Sequence, residues 1–161
     1  MIAIAPVDLE GHGLFAGLSS QQIQLVSTFS ERLTVEKGAA ILEQGRPSIA
    51  LYSLVQGKVG LEAQAPKPNG GSTEPVLVAV LGSGDSFGWS SLVEPHVLTL
   101  SAVAMDRCIL IRVEAPALRE AMQRYRDLGW VVMYNLSRLL AQRLAQTQQA
   151  LIYERGWALV G

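Results

Sequence analysis

Short strand-like segments separated by glycine-containing turns fill the middle of this chain, and that alternation restricts the folds open to it. Leu33 and Val35 alternate with polar neighbours, and apolar segments follow at 51–55, 59–63 and 76–81. Several short strands at this spacing, with turn residues between them, indicate a β-barrel or a jelly roll.

Two turns in this region predict hairpins. Gln56-Gly57-Lys58 separates 51–55 from 59–63, and Asp106-Arg107 separates 101–105 from 108–113. Between them, 66–75 is a predicted loop because prolines and glycines interrupt it.

Towards both ends of the chain, the spacing of apolar residues changes from that of strands to that of helices. Ser19 and Gln22 have the spacing of a capping box, which predicts a short helix ending near Phe29. The boundary between the strands and the C-terminal helices falls near Glu114.

Two helices are predicted after that boundary. The first covers 117–125 with Pro116 in its first turn, and Asp127 is placed to cap a second that runs to Arg155. One face of this second helix is apolar, with residues recurring every three or four positions: Leu136, Leu140, Leu144, Thr147 and Leu151.

Length and composition bound the class of protein. The chain has 161 residues, of which 49% are apolar and 17% charged, so we expect one globular domain over 1–161. The roll would occupy about 14–114 and the helices about 115–155. A net charge of −1 argues against a general nucleic-acid binder.

Location is predicted from what the chain lacks. Cys108 is the only cysteine, so no intrachain disulfide forms. The first residues carry no basic segment, and no apolar run approaches the roughly 18 residues of a membrane span. We therefore expect a cytoplasmic protein that does not enter a membrane.

The segment 84–93 joins a glycine-rich turn to the start of a short helix. Backbone N–H groups in such a turn can bind an anion. No Lys or Arg occurs between Ser86 and Ala104, however. The sequence therefore predicts the backbone of a phosphate site without the charge that normally neutralises a phosphate.

The sequence contains no convincing motif for a catalytic site or a metal site. The segment 88–92 approaches the hydrolase pattern G-x-S-x-G but lacks its last glycine and an α/β context, so Ser90 is not assigned as a nucleophile. His12 and His96 are far apart, His96 as an exposed loop residue, and Cys108 lies in an apolar strand as a core residue. We expect no enzyme activity, no metal site and no resident cofactor.

A set of motifs in a fixed order resembles one known family. The chain is similar to the cyclic nucleotide-binding domain of catabolite-activator-type bacterial regulators and kinase regulatory subunits, over about Leu14 to Arg155. The motifs are 14–19, Gly38, Gly45, 51–52, 56–59, Leu81 with 84–88, 101–104 and the long helix. The resemblance implies a bacterial regulator, mainly β with flanking α: a double-stranded β-helix jelly roll of eight strands plus C-terminal helices.

The family's ligand residues carry over only in part. In the family a glutamate after the glycine of the phosphate-binding cassette bonds the ribose, an arginine pairs with the cyclic phosphate, and a Ser or Thr follows. Here Gly88 and Ser101 match, Trp89 replaces the glutamate, and Leu98 or Thr99 replaces the arginine. Each lost charged hydrogen bond is worth ~1.5–3 kcal/mol, about ten- to hundredfold in affinity. We expect cAMP and cGMP to bind weakly or not at all.

The role of the pocket stays open between three alternatives. Trp89 fills the space of a nucleotide, or lines a pocket for a less polar ligand with Val97, Leu98 and Leu100. Alternatively, backbone amides at 88–90, with the Ser90 and Ser101 hydroxyls, hold a small anion. The predicted pocket residues are Gly88, Trp89, Ser90, Ser91, Leu98, Thr99 and Ser101.

Two functions of different classes follow. The chain is a sensor whose ligand, a cyclic nucleotide or another small molecule, signals to the helices, or a ligand-free scaffold that recruits a protein partner. We expect a homodimer through the apolar helix face, helped by the tail 157–160. The arginines of the helices, Arg143 among them, are interpreted as a solvated face. Only six residues follow Arg155, too few for a helix-turn-helix, so we expect no direct DNA binding.

Overall fold

The computed structural model describes the side chains of residues 8–71 and 73–156 and, in addition, the backbone of residues 2–3 and 157–160. The tail prediction for 157–160 therefore lies outside the described side chains, as does most of the N-terminal segment. Described strands are β1 (Ile2–Ala3), β2 (Ser30–Val35), β3 (Ala40–Leu42), β4 (Ala50–Gln56), β5 (Val59–Ala65), β6 (Glu74–Leu81), β7 (Ser86–Phe87), β8 (Ser101–Ala104) and β9 (Cys108–Glu114). The α-helices are α1 (Ser20–Ser27), α2 (Ala115–Arg124) and α3 (Arg126–Val160).

The strands form two antiparallel sheets. The first has the order β1-β2-β9-β4-β7 and the second the order β3-β8-β5-β6. Two sheets flanked by helices confirm the predicted jelly roll with C-terminal helices.

The first sheet is covered on both faces, which explains the continuous apolar run of β4. Tyr52 and Leu54 pack into a core between the sheets, whereas Leu51 belongs to a second core shared with the helices. Neighbouring side chains of a strand point to opposite faces, so burial on both faces requires consecutive apolar residues.

Neither predicted hairpin forms. β4 and β5 lie in different sheets, and so do β8 and β9, so both turns cross between the sheets. The two crossings pack together: the amide of Met105 donates to the carbonyl of Lys58 over 2.8 Å. A Cβ on Gly57 would lie 2.7 Å from the carbonyl oxygen of Arg107. The hairpin predictions were wrong because alternation within a strand does not reveal which strand pairs with it.

The capping box of α1 is confirmed. The Ser19 hydroxyl accepts from the Gln22 amide over 3.3 Å, and the Gln22 side chain accepts from the Ser19 amide over 2.9 Å. α3 begins at Arg126, so Asp127 lies in its first turn and is not its cap. There the Asp127 carboxylate accepts from the Gln22 side chain over 2.8 Å, which ties α3 to α1.

α3 changes its environment along its length. Leu136 is 1% exposed and belongs to the helix-facing core, and Leu140 is half-buried against it. Leu144, Thr147 and Leu151 are exposed. Leu136 is thus unavailable to a second subunit, which corrects its assignment to a dimer contact. None of the helices in the described part of the chain is long and apolar enough to cross a bilayer.

Candidate functional site

A tight turn positions the predicted cassette. Gly88 has φ +78°, and a Cβ there would lie 2.9 Å from the carbonyl oxygen of Ala50. Both facts require glycine at this position. Before the turn, Phe87 is buried and stacks on Tyr52 with ring centres 5.2 Å apart. After it, a short 3₁₀ helix spans Trp89–Leu92.

A cavity of about 20 Å³ lies against this turn, with room for about one water molecule. The predicted pocket residues Gly88, Trp89, Ser90, Leu98 and Thr99 contribute to its wall. The complete lining is Leu42, Leu61, Phe87, Gly88, Trp89, Ser90, Leu98, Thr99, Leu100 and Arg143.

Two predicted pocket residues have other roles. Ser91 is fully buried, and its carbonyl accepts from the Arg119 side chain. The Ser101 hydroxyl accepts from the Gln44 amide over 3.0 Å. Neither lines the cavity, so both assignments to the pocket wall are corrected.

Trp89 and Leu98 stand where the family resemblance places the ribose-binding glutamate and the phosphate-binding arginine. Trp89 is half-buried, packs against the helix-facing core and contributes to the cavity wall. Leu98 is 6% exposed on the same wall. The two positions where the resemblance places a carboxylate and a guanidinium thus hold an indole and an apolar side chain on the wall of a small cavity.

The positive charge predicted to be missing is supplied by Arg143 of α3, which lines the cavity. Its Nη2 donates to the carbonyl of Ser86 over 3.4 Å. Burial lowers the pKa of Arg143, and the Asp85 carboxylate offsets part of that effect. Arg143 is half-buried, so its interpretation as part of a solvated face is corrected. One signal in the sequence was overlooked: Arg143 follows Leu136 by seven residues, two helical turns, and so shares its core-facing side.

A second, larger space adjoins the first. A groove of about 620 Å³ runs between α3, the end of β6 and the 3₁₀ helix Gly13–Phe15. Arg143 lines both spaces, and Arg138 lines the groove only. Arg143 therefore stands at the junction of the cassette cavity with the groove.

The remaining side chains that could bind a metal or react do not cluster into a site. Within 8–71 and 73–156, no three His, Cys, Asp or Glu side chains come together as metal ligands. His96, predicted as an exposed loop residue, is half-buried with its Nδ1 3.3 Å from the Ser90 carbonyl. Cys108 is buried as predicted, and its thiol donates to the Lys58 carbonyl over 3.2 Å.

Comparison with known proteins points to one family. The model of the cyclic nucleotide-binding domain matches residues 32–125. The Cyclic AMP receptor protein of Thermus thermophilus is 31% identical over 138 residues, which are 86% of this chain and 60% of that protein. A CRP-like cAMP-activated global transcriptional regulator of Mycobacterium tuberculosis is 26% identical over 144 residues, 86% of this chain and 58% of that protein.

A solved structure has the same fold. A candidate cyclic nucleotide-binding protein from Geobacter metallireducens superposes with a TM-score of 0.74 at 28% identity, covering 88% of this chain and 98% of that one. The chain spans about three fifths of the length of the two regulators it matches.

Proposed function

The chain belongs to the cyclic nucleotide-binding domain family, and from that premise we propose that it is a regulatory module in which a small ligand at the cassette cavity acts on α3. The observation that carries this proposal is the shared wall of the cavity. The cassette contributes Gly88, Trp89 and Ser90, and α3 contributes Arg143. A ligand that enlarges or fills the cavity must therefore displace or attract a side chain of the helix.

Ordinary recognition of cAMP or cGMP is not part of this proposal. Sites for small molecules usually enclose about 300–1,000 Å³, whereas this cavity has about 20 Å³. The glutamate and arginine positions hold Trp89 and Leu98, and the positive charge on the cavity wall is that of Arg143, which belongs to α3. We expect both nucleotides to bind more weakly than micromolar.

Isothermal titration with cAMP and cGMP tests this expectation. A double variant, Trp89→Glu with Leu98→Arg, restores the family's two residues and is expected to gain affinity for cAMP. A parallel variant with Thr99→Arg in place of Leu98→Arg covers the other alignment of the loop. Micromolar or tighter binding by the unchanged protein would contradict the expectation.

A ligand-free dimeric scaffold is the second candidate, because one face of α3, here called the seam, exposes apolar side chains. Trp130 and Tyr134 are 66% and 49% exposed and stack with ring centres 5.0 Å apart. Leu144 and Leu151 are 59% and 49% exposed further along the helix. Alternating steps of four and three residues, as in a coiled coil, connect the exposed positions 130, 134, 137, 141, 144, 148 and 151, of which Ser137 and Gln148 are polar.

A thermal-shift screen separates the two candidates. A ligand that binds only the native state raises the melting temperature with ligand excess. A shift supports the sensor, whereas an unresponsive protein that is a dimer by light scattering supports the scaffold. In both candidates the chain is a homodimeric, non-enzymatic regulator. Cytoplasmic location, a protein partner and the lack of direct DNA contact stay predictions.

A further inference from the structure

Arg143 occupies an unusual position for a charged residue. Between 141 and 156 of α3 it is the only side chain that is not exposed. Removing a guanidinium from water costs free energy unless it gains partners, whereas a leucine at the same place would carry no such cost. Arg143 is half-buried, so water meets part of this cost and a compensating group would meet the rest.

The protein itself compensates Arg143 poorly. The hydrogen bond to the Ser86 carbonyl, at 3.4 Å, is longer than the usual 2.7–3.2 Å for N–H···O. No ion pair within 4.0 Å joins Arg143 to a carboxylate in the described part of the chain. The attraction to Asp85 only partly opposes the lowering of the Arg143 pKa by burial.

Two hydroxyls on the cavity wall make no hydrogen bond to another described residue and are free to donate to a ligand. Ser90 is 6% exposed, and its hydroxyl makes no hydrogen bond to any described residue. The hydroxyl of Thr99, exposed at the edge of the cavity, makes none within the described ranges either. A low-polarity surrounding strengthens the interaction of such donors with a charge. The apolar wall consists of Leu42, Leu61, Phe87, Trp89, Leu98 and Leu100.

We propose that Arg143 binds the oxyanion group of a small ligand at the cassette cavity, with the Ser90 and Thr99 hydroxyls as further donors. This inference rests on the sensor function proposed above and names the chemistry of its ligand. The anion is recognised from α3, since the cassette contains no cation between Ser86 and Ala104.

Binding of a ligand requires one side chain to move. The cavity holds about one water molecule, and Arg143 lines both this cavity and the groove of about 620 Å³. A ligand larger than water that contacts Arg143 must therefore displace its side chain. The residue that holds the anion and the residue that moves are then the same, so binding acts directly on α3.

Titration of the full chain with inorganic phosphate, AMP and citrate tests the proposal. Phosphate and AMP represent a phosphate source, and citrate represents a carboxylate. We expect at least one of them to raise the melting temperature and to change the Trp89 emission of a chain carrying Trp130→Phe and Trp157→Phe. Trp89 is then the only indole, since the sequence has three tryptophans.

Three variants identify the residue responsible. Arg143→Gln should weaken binding roughly ten- to hundredfold, the loss expected for a charged hydrogen bond. Arg143→Lys, which keeps the charge, should retain part of the affinity. Arg138→Gln is the matched control, because Arg138 is exposed on the same helix and lines only the groove. It should stay within about twofold of the unchanged protein, at the same ionic strength.

Several outcomes overturn the proposal. They are undiminished binding by the Arg143→Gln variant, an equal loss in the Arg138→Gln variant, or no response of the unchanged protein to all three anions. A neutral ligand, such as adenosine, that shifts the melting temperature equally with and without Arg143 overturns the anion site but leaves the sensor function intact. A protein that responds to neither anions nor neutral ligands contradicts both. If the Arg143→Gln variant fails to fold by circular dichroism, the Arg143→Lys and Arg138→Gln variants decide between these outcomes.

Discussion

The two halves of α3 have similar sequence patterns and different surroundings. Up to Leu140 the helix packs against the roll and α2, with Leu128, Val132 and Leu136 at most 1% exposed. From 141 to 156 the roll touches the helix through Arg143, and leucines at the same spacing are exposed. An apolar stripe on a helix therefore indicates that this face is buried. It does not indicate whether the same chain or a second chain covers it.

The largest expected difference concerns two leucines of that stripe. Leu136→Ala removes a fully buried side chain and should cost about 2–5 kcal/mol of unfolding free energy. Leu151→Ala, at 49% exposure, should cost less than about 0.5 kcal/mol in the dissociated chain. Urea denaturation at concentrations where the chain is monomeric measures both. Equal losses would show that the second half is packed in the monomer.

The exposed half is expected to hold the dimer together. Leu144→Glu with Leu151→Glu places charges in the seam and should weaken association at least about hundredfold, or about 3 kcal/mol. Light scattering at micromolar concentration should then report the monomer mass of 17.4 kDa. Gln142→Glu with Gln149→Glu, also seven residues apart but away from the seam, is the control. If the unchanged protein already has the monomer mass, the seam is not a dimer contact and the prediction is wrong.

Two glycines of α3 sharpen the comparison further. A Cβ on Gly129 would lie 2.7 Å from the carbonyl oxygen of Met122 in α2, so Gly129→Ala should cost about 1–3 kcal/mol. A Cβ on Gly156 would meet nothing within 4 Å. Gly156→Ala should therefore raise helix content and add up to about 1 kcal/mol. Thermal unfolding followed by circular dichroism measures the stability change of both variants. If both variants were stabilised, or both destabilised, the expected contrast between the two halves would be contradicted.

The smallest effect is expected at Arg143, where the exposed half touches the roll. Because burial lowers the pKa of Arg143, folding disfavours its charged form at every pH below that folded-state pKa, neutral pH included. Arg143→Met keeps an unbranched apolar chain and should stabilise the ligand-free protein, by no more than about 1 kcal/mol since solvent screens the guanidinium. Arg138→Met should change stability by less than about 0.5 kcal/mol. A clear loss on Arg143→Met would mean that the Ser86 contact is stabilising.

The sequence by itself determined the class of fold and much of the site's backbone. Period-2 and period-3.6 patterns identified the strands and helices because each records the burial of one local face. The capping box at Ser19 was readable since its partners lie three residues apart. The turn at Gly88 and the exchange of the family's charged residues for Trp89 and Leu98 were also visible.

Only the tertiary structure decided which distant segments meet. It assigned β4 and β5 to different sheets, covered Leu136 and left Leu144 exposed, and brought Arg143 to a turn more than fifty residues earlier in the chain. The physical reason is that local patterns depend on neighbours within a few residues. The charge and volume of a cavity depend instead on every element packed around it, whatever the separation along the chain.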